Sequence, residues 1–242
     1  MIFYRPWQPV KALSFDLDDT LYDNEPIIQR AEAQLLTFLQ QFPECQHTDS
    51  SFWRKAKNIA VLNNPQLTQD MSQWRQASLE VGLRECGLRG AALTRLAEQA
   101  FYEFYRARSD FNVSETVQQT LKILAQQLPL VAITNGNVDV DSIGLSGVFQ
   151  QVFHARADQP MKPSPIMFER CASALKLPPQ QILHVGDNLE KDVWGALQVG
   201  FKTAWLAVNR DMDLRQEPAA LLPDVQLQDI SELLELVSDY PM

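Results

Sequence analysis

The pattern that most limits the fold of this chain is an interrupted alternation. Short apolar runs at 12–15, 128–133, 182–185 and 203–206 have the length and composition of buried strands, and Pro9 marks the entry to the first. Amphipathic helical patterns separate the later runs. Ser114 caps a segment carrying Val117, Leu121 and Leu124, and two further helices cover 165–175 and 192–199, the last stopped by Gly200. Strands alternating with helices build βαβ units around a parallel sheet. The first interval breaks the rule, because it holds several times more residues than the roughly 2–6 of a βα loop in a compact domain.

Within that interval the apolar residues recur at helical spacing: Ile27, Ile28, Ala31, Leu35 and Leu39, then Met71, Trp74, Ala77, Ser78 and Val81, then Leu93, Leu96, Ala100, Phe101 and Phe104. No strand pattern accompanies them. The expected architecture is a doubly wound, Rossmann-like α/β core made from residues 1–23 and 113–242, with an all-helical domain at 24–112 inserted after the first strand. Toward the C-terminus, 209–223 reads as loop and 231–237 as a short helix.

Composition narrows the partners. A length of 242 residues is enough for a core with an insertion, and 45% hydrophobic with 21% charged residues is ordinary for a globular chain. The net charge of -9 supplies no basic footprint, so neither nucleic acid nor an anionic membrane surface is an expected partner. Cys45, Cys86 and Cys171 lack metal-site spacing and read as ordinary thiols in a reducing compartment. Arg5 and Pro6 interrupt any signal-peptide core, and no apolar run approaches the roughly 18 residues that span a bilayer. A cytoplasmic location is the expectation. Oligomeric state has no readable signal.

The chemistry concentrates at Asp16-Leu17-Asp18-Asp19-Thr20, directly after the first apolar run. Two carboxylates at the end of a buried strand repel each other and lose hydration, and a divalent cation is the simplest compensation. One carboxylate then binds metal and attacks substrate while the other moves a proton. In open parallel sheets ligands bind beyond the carboxyl ends of the strands, and Asp16, Thr134 and Asp187 each end a predicted strand. Four signals therefore point to one edge: Asp16-Leu17-Asp18, Thr134-Asn135-Gly136, Lys162-Pro163, and Gly186-Asp187-Asn188 with Asp192 following.

Together and in this order, these four motifs resemble the haloacid dehalogenase superfamily, mostly Mg²⁺-dependent phosphatases with a doubly wound core and a helical cap. Residues 15–24, 131–137 and 183–188, with the opening Phe3-Tyr4-Arg5-Pro6, look most like the bacterial phosphatases of flavin biosynthesis. Those act on 5-amino-6-(5-phospho-D-ribitylamino)uracil, so the resemblance implies a small phosphorylated metabolite as the substrate. It implies Asp16 as nucleophile and metal ligand, and Asp18 as proton shuttle and, through its carbonyl, a metal ligand. Asp187 is the third ligand by the same token, Thr134, Asn135 and Lys162 hold the phosphoryl group, and Asp192 orients Lys162 or a metal-bound water.

Other readings are a broad phosphatase of sugar phosphates or nucleotides, a metal-independent 2-haloacid dehalogenase, a sugar-phosphate mutase and a noncatalytic binding protein. Asp19 is expected to shape the turn, and His184 to face neighbouring structure in its strand. Trp53, Trp74, Phe101 and Phe104 read as core of the helical insertion. Arg54, Lys55 and Lys57 read as a solvated helix face from which one side chain can reach a substrate's far end.

Overall fold

The computed structural model describes residues 1–218 and 221–238. At its centre is a seven-stranded sheet of β1 (Ile2–Phe3), β2 (Ala12–Phe15), β3 (Leu130–Thr134), β4 (Gln151–His154), β5 (Ile182–Gly186), β6 (Lys202–Trp205) and β7 (Val225–Gln226). The strands lie in the order β1-β7-β6-β5-β2-β3-β4, and every neighbouring pair is parallel except β1 with β7. β2 is central and every one of its residues is buried. Its register sets Phe15 beside Ala132 on one side and Val185 on the other, so the chain leaves three adjacent strands at one level.

Alternation along those strands divides the core in two. Leu13, Phe15, Leu130, Ala132, Leu183 and Val185 pack on one face with Val117, Leu121 and Leu124 of α5 (Glu115–Ala125) and Leu233 and Leu236 of α8 (Glu232–Ser238). Ala12, Val131, Ile133 and Ile182 pack on the other face with Met167, Phe168, Cys171 and Ala172 of α6 (Ile166–Leu175) and Ala196 of α7 (Gly195–Val199). This is the doubly wound α/β arrangement expected from the pattern.

Several details differ from the sequence expectation. The second expected strand begins at Leu130 because Leu128 N–H still donates to Leu124 O in the exit turn of α5. β4 mixes polar and apolar residues at a sheet edge and so has no apolar run to mark it, and the two-residue β1 and β7 lack the length that gives a periodic signal. The helix expected over 192–199 is present but starts earlier, at Leu189, with a wide first stretch in which Val193 N–H donates to Asn188 O; it runs on into α7 and ends at a left-handed Gly200. Residues 219 and 220 of the expected loop lie outside the described residues.

Between β2 and α5 stand α1 (Glu25–Leu39), α2 (Ser50–Asn63), α3 (Met71–Glu85) and α4 (Gly90–Arg108). They bury a separate cluster that includes Ala31, Leu35, Leu39, Leu83, Leu96, Ala100 and Phe104. The buried residues of α3 are Ser78, Leu79, Gly82 and Leu83, not the expected stripe through Met71 and Trp74. α2 fits against α3 because Gly82 has no side chain: a Cβ there would lie 2.3 Å from the Trp53 ring, which Thr48 tethers through its Nε1.

Gly82→Ala sets two effects against each other. Alanine in a helix gains about 0.5–1 kcal/mol over glycine, but overpacking against a tethered ring costs about 1–3 kcal/mol. A thermal melt is expected to show a lower Tm for Gly82→Ala, recovered by adding Trp53→Leu; an unchanged Tm in the single variant would mean that the ring yields freely.

Candidate active site

The sheet brings three groups to its carboxyl edge. Asp16 follows β2, and its N–H donates to Val185 O of β5 at 2.9 Å. Thr134 ends β3, and Asp187 follows the last residue of β5. The loop after Asp16 turns at once: Leu21 N–H returns to Leu17 O, and Asp19 N–H to Tyr22 O. Asp19 adopts φ 63°, tolerated because its carboxylate accepts the Asn24 N–H at 3.0 Å. Asp19 thus shapes the turn, as its sequence position suggests.

Lys162 joins the separate pieces. Its ammonium donates to Asp16 Oδ1 at 2.6 Å, Asp192 Oδ1 at 2.6 Å and Ile133 O at 2.7 Å, using all three protons. Burial alone would discharge Lys162, yet Asp16 and Asp192 reverse that effect and hold it charged. Burial likewise opposes ionisation of Asp192, but Lys162 and His184 outweigh it and keep that carboxyl well below the usual range. His184 is buried, its Nε2 3.2 Å from Asp192 Oδ1 and its Nδ1 2.9 Å from Ser14 Oγ, and burial keeps it neutral by lowering its pKa. Asp192 Oδ2 accepts the Asn188 N–H, so both of its oxygens are engaged.

Asp16 and Asp187 behave in the opposite way. Desolvation, reinforced by neighbouring carboxylates, raises Asp16 well above the ordinary range despite Lys162. Asp187 is pushed up to about 6, by burial first and Asp192 second, although Arg210 Nη1 donates to its Oδ2 at 2.8 Å. Carboxylate oxygens of Asp16, Asp187 and Asp192 lie within 4.8 Å of one another. Three carboxylates thus face two cations, Lys162 and Arg210, and two of the acids resist ionisation. A hard divalent cation fits this donor set, supplying the missing charge to Asp16 and Asp187. Asp192, whose oxygens are already taken, is better suited to hold Lys162.

The Asp18 carboxylate turns away from this cluster. Its Oδ1 accepts hydrogen bonds from Tyr22 Oη at 2.6 Å and from Arg108 Nη2, while its Oδ2 lies over Gly136. A Cβ on Gly136 would come within 2.5 Å of that oxygen, so this glycine is what admits the carboxylate. The Thr134 hydroxyl accepts the Gly136 N–H at 2.9 Å, which fixes the turn. Asn135 uses its side-chain amide twice on the Lys162 backbone, accepting its N–H at 2.8 Å and donating to its carbonyl at 3.1 Å. The Asn135 side chain, expected from sequence to hold phosphate, is thus occupied in positioning the Lys162 loop.

Above Asp18 opens a cavity of about 130 Å³ whose far wall comes from the helical insertion: Lys57, Met71, Trp74, Arg75, Phe104 and Arg108. Lys57 Nζ sits 4.4 Å from the Trp74 ring centroid, and the Arg75 guanidinium sits 3.9 Å from that of Phe104. Phe104 therefore faces the cavity as well as the helical core, and Trp74 lines the cavity from outside that core, which corrects their reading as core alone. Lys57 is drawn in from the solvated face on which sequence placed it.

The family description of haloacid dehalogenase-like hydrolases matches residues 10–200. The chain belongs to this family. It is 35% identical over 238 residues to the 5-amino-6-(5-phospho-D-ribitylamino)uracil phosphatase YigB of Escherichia coli, covering 98% of this chain and all of that one. The human N-acylneuraminate-9-phosphatase is 26% identical, with 94% of each chain covered. Among solved structures, the 2-haloacid dehalogenase of Pseudomonas syringae superposes with a TM-score of 0.85 at 30% identity, covering 95% of this chain and 99% of that one. No helix among the described residues is long and apolar enough to cross a membrane.

Sequence reasoning missed Arg108, Tyr22 and Arg210. Tyr22 stands four residues beyond Asp18 and was open to notice within the motif. Arg108 ends a helix, where a cation reads as a partner for the helix dipole. Arg210 lies in an irregular loop with no pattern to mark it.

The upward shift of the Asp187 pKa has a definite sign for stability. An acid that binds its proton more tightly when folded loses stability as pH rises from its unfolded value toward about 6. In chelator, Asp187→Asn should therefore gain Tm relative to the parent between pH 4.5 and 7.5, by roughly 3–6 °C. A Tm difference independent of pH would show that Asp187 ionises freely.

Proposed function

We propose that this chain is a metal-dependent phosphomonoesterase working through an aspartyl phosphate on Asp16, with 5-amino-6-(5-phospho-D-ribitylamino)uracil as its substrate. The observation that carries the reaction class is the pairing, on one sheet edge, of a Lys162-held Asp16 with a separate carboxylate, Asp18, whose Oδ2 is turned toward the cavity. Phosphatases among the named relatives support the same class. The substrate proposal rests on the likeness to YigB across the whole chain. The helical insertion is proposed as residues 24–112, the cap that selects substrate.

Asp16 Oδ1 is held by Lys162, and among the described residues Oδ2 has only a 3.4 Å hydrogen bond from the Thr20 hydroxyl. Asp16 attacks phosphorus as the bond to the ester oxygen breaks, and Asp18 gives its proton to the departing alkoxide. Asp18 then takes a proton from water, which attacks the phosphorus of the aspartyl phosphate and frees Asp16. Lys162 places positive charge beside the transferring group, and Thr134 with backbone N–H groups at 135–136 orients its oxygens. Mg²⁺ held by Asp16, Asp187 and the Asp18 carbonyl would offset the repulsion between a carboxylate nucleophile and a dianionic ester.

One observation favours a second reading. The Pseudomonas syringae relative is a 2-haloacid dehalogenase, and it is 30% identical. Displacing halide from carbon needs neither a proton for the leaving group nor a metal, so Asp18 and the acidic cluster would be left without work.

Asp16→Asn is expected to lower turnover of a phosphate monoester at least 10³-fold with the melting curve preserved, about the scale for removing a covalent nucleophile. Chelation should silence the parent enzyme and Mg²⁺ restore it; steady activity in chelator with halide released from a 2-haloacid would favour the dehalogenase. In a panel of phosphorylated metabolites, kcat/KM for the ribitylaminouracil phosphate should exceed that for sugar phosphates and nucleotides by about 10²-fold or more, equivalent to about 2.7 kcal/mol of selective binding. Comparable values across the panel would leave the phosphatase reading and remove the substrate.

A further inference from the structure

Arg108, the last residue of α4, is 1% exposed and lines the cavity above Asp18. Its Nη2 donates to Asp18 Oδ1 and lies 3.5 Å from Tyr22 Oη, which itself donates to the same carboxylate oxygen. Its Nη1 is buried and has no hydrogen-bond partner among the described residues. A buried guanidinium N–H without an acceptor is rare in folded proteins, and at a cavity wall it calls for an oxygen from outside the chain.

The carboxylate is correspondingly asymmetric. Oδ1 takes two donors, so a proton on that oxygen would have to displace one of them. Oδ2 accepts no hydrogen bond among the described residues and lies against Gly136 at the cavity. The proton to be transferred therefore belongs on Oδ2. Building on the reading of Asp18 as proton donor, we propose that Arg108 is the positioning residue for that transfer. Its Nη2 fixes Oδ1 so that Oδ2 meets the leaving oxygen, and its Nη1 donates to an oxygen of the bound phosphate monoester. As the Asp16–phosphorus bond forms and the phosphorus–ester bond breaks, the proton passes from Asp18 Oδ2 to the departing alkoxide, and Arg108 keeps its own protons throughout.

Leaving groups of different acidity separate this role from a structural one. A proton is essential when an alkoxide departs and nearly dispensable when p-nitrophenolate does. In single turnovers at saturating substrate with Mg²⁺, Arg108→Met should slow alcohol release from glycerol phosphate by about 100-fold, the scale of general-acid catalysis. Release of p-nitrophenol from p-nitrophenyl phosphate should slow by less than about 3-fold. Asp18→Asn should show the same split, and the double variant should be little slower than Asp18→Asn, since both act on one proton. Inhibition by inorganic phosphate should weaken about tenfold in Arg108→Met and stay near the parental value in Asp18→Asn, reporting the Nη1 contact.

Equal losses on both substrates in Arg108→Met, or no loss on either, would overturn the positioning role, and unchanged phosphate inhibition would overturn the Nη1 contact. Should the methionine variant not fold, Arg108→Lys keeps the charge but not the forked donors and should show the same leaving-group split. An active Asp16→Asn, or an Asp18→Asn that fails equally on both substrates, would instead sink the underlying phosphatase reading.

Discussion

One buried ammonium ties the carboxyl edge of the sheet together. Lys162 reaches it from the loop between β4 and α6, and touches the residue after β2, the penultimate residue of β3 and the turn after β5. A charge removed from water in this way is tolerable only when hydrogen-bonded counter-charges surround it. The dependence is mutual: Asp192 stays ionised because of Lys162, and Lys162 stays protonated because of Asp16 and Asp192. Asn135 braces the loop that carries the lysine and so works as scaffold.

The sheet was legible because burial on both faces writes apolar runs into the sequence, and the site was legible because an open parallel sheet exposes its strand ends in a fixed place. Asp16, Thr134 and Asp187 follow from those two facts. Arg108 does not: ninety positions separate it from Asp18, and only tertiary folding puts the two together. The misread face of α3 has a different origin. Met71 and Trp74 share a helical stripe with Ala77, Ser78 and Val81, yet Gly82 lets α2 approach so closely that the buried face rotates toward Leu79 and Leu83. A periodicity argument counts apolar side chains and cannot register the packing made possible by a missing one.

The wall supplied by the helical insertion has its own logic. Lys57 over Trp74 and Arg75 over Phe104 set two cations on two aromatic faces, and Glu32 balances Arg75 from the far side at 3.2 Å. Cations stacked this way keep their charge while their flat or flexible stems cover apolar surface. Two cations and two aromatic rings thus line the cavity on the side of the insertion.

Lys162 also bears on covalent chemistry at amines. Acylating or aldehyde reagents need an unprotonated nitrogen lone pair and a path to it, and this side chain has neither, being 3% exposed with three acceptors on its three protons. Lysine-directed labels, and acetylation in the cell, will therefore mark surface amines such as Lys55 and pass over the one lysine at the centre of the site.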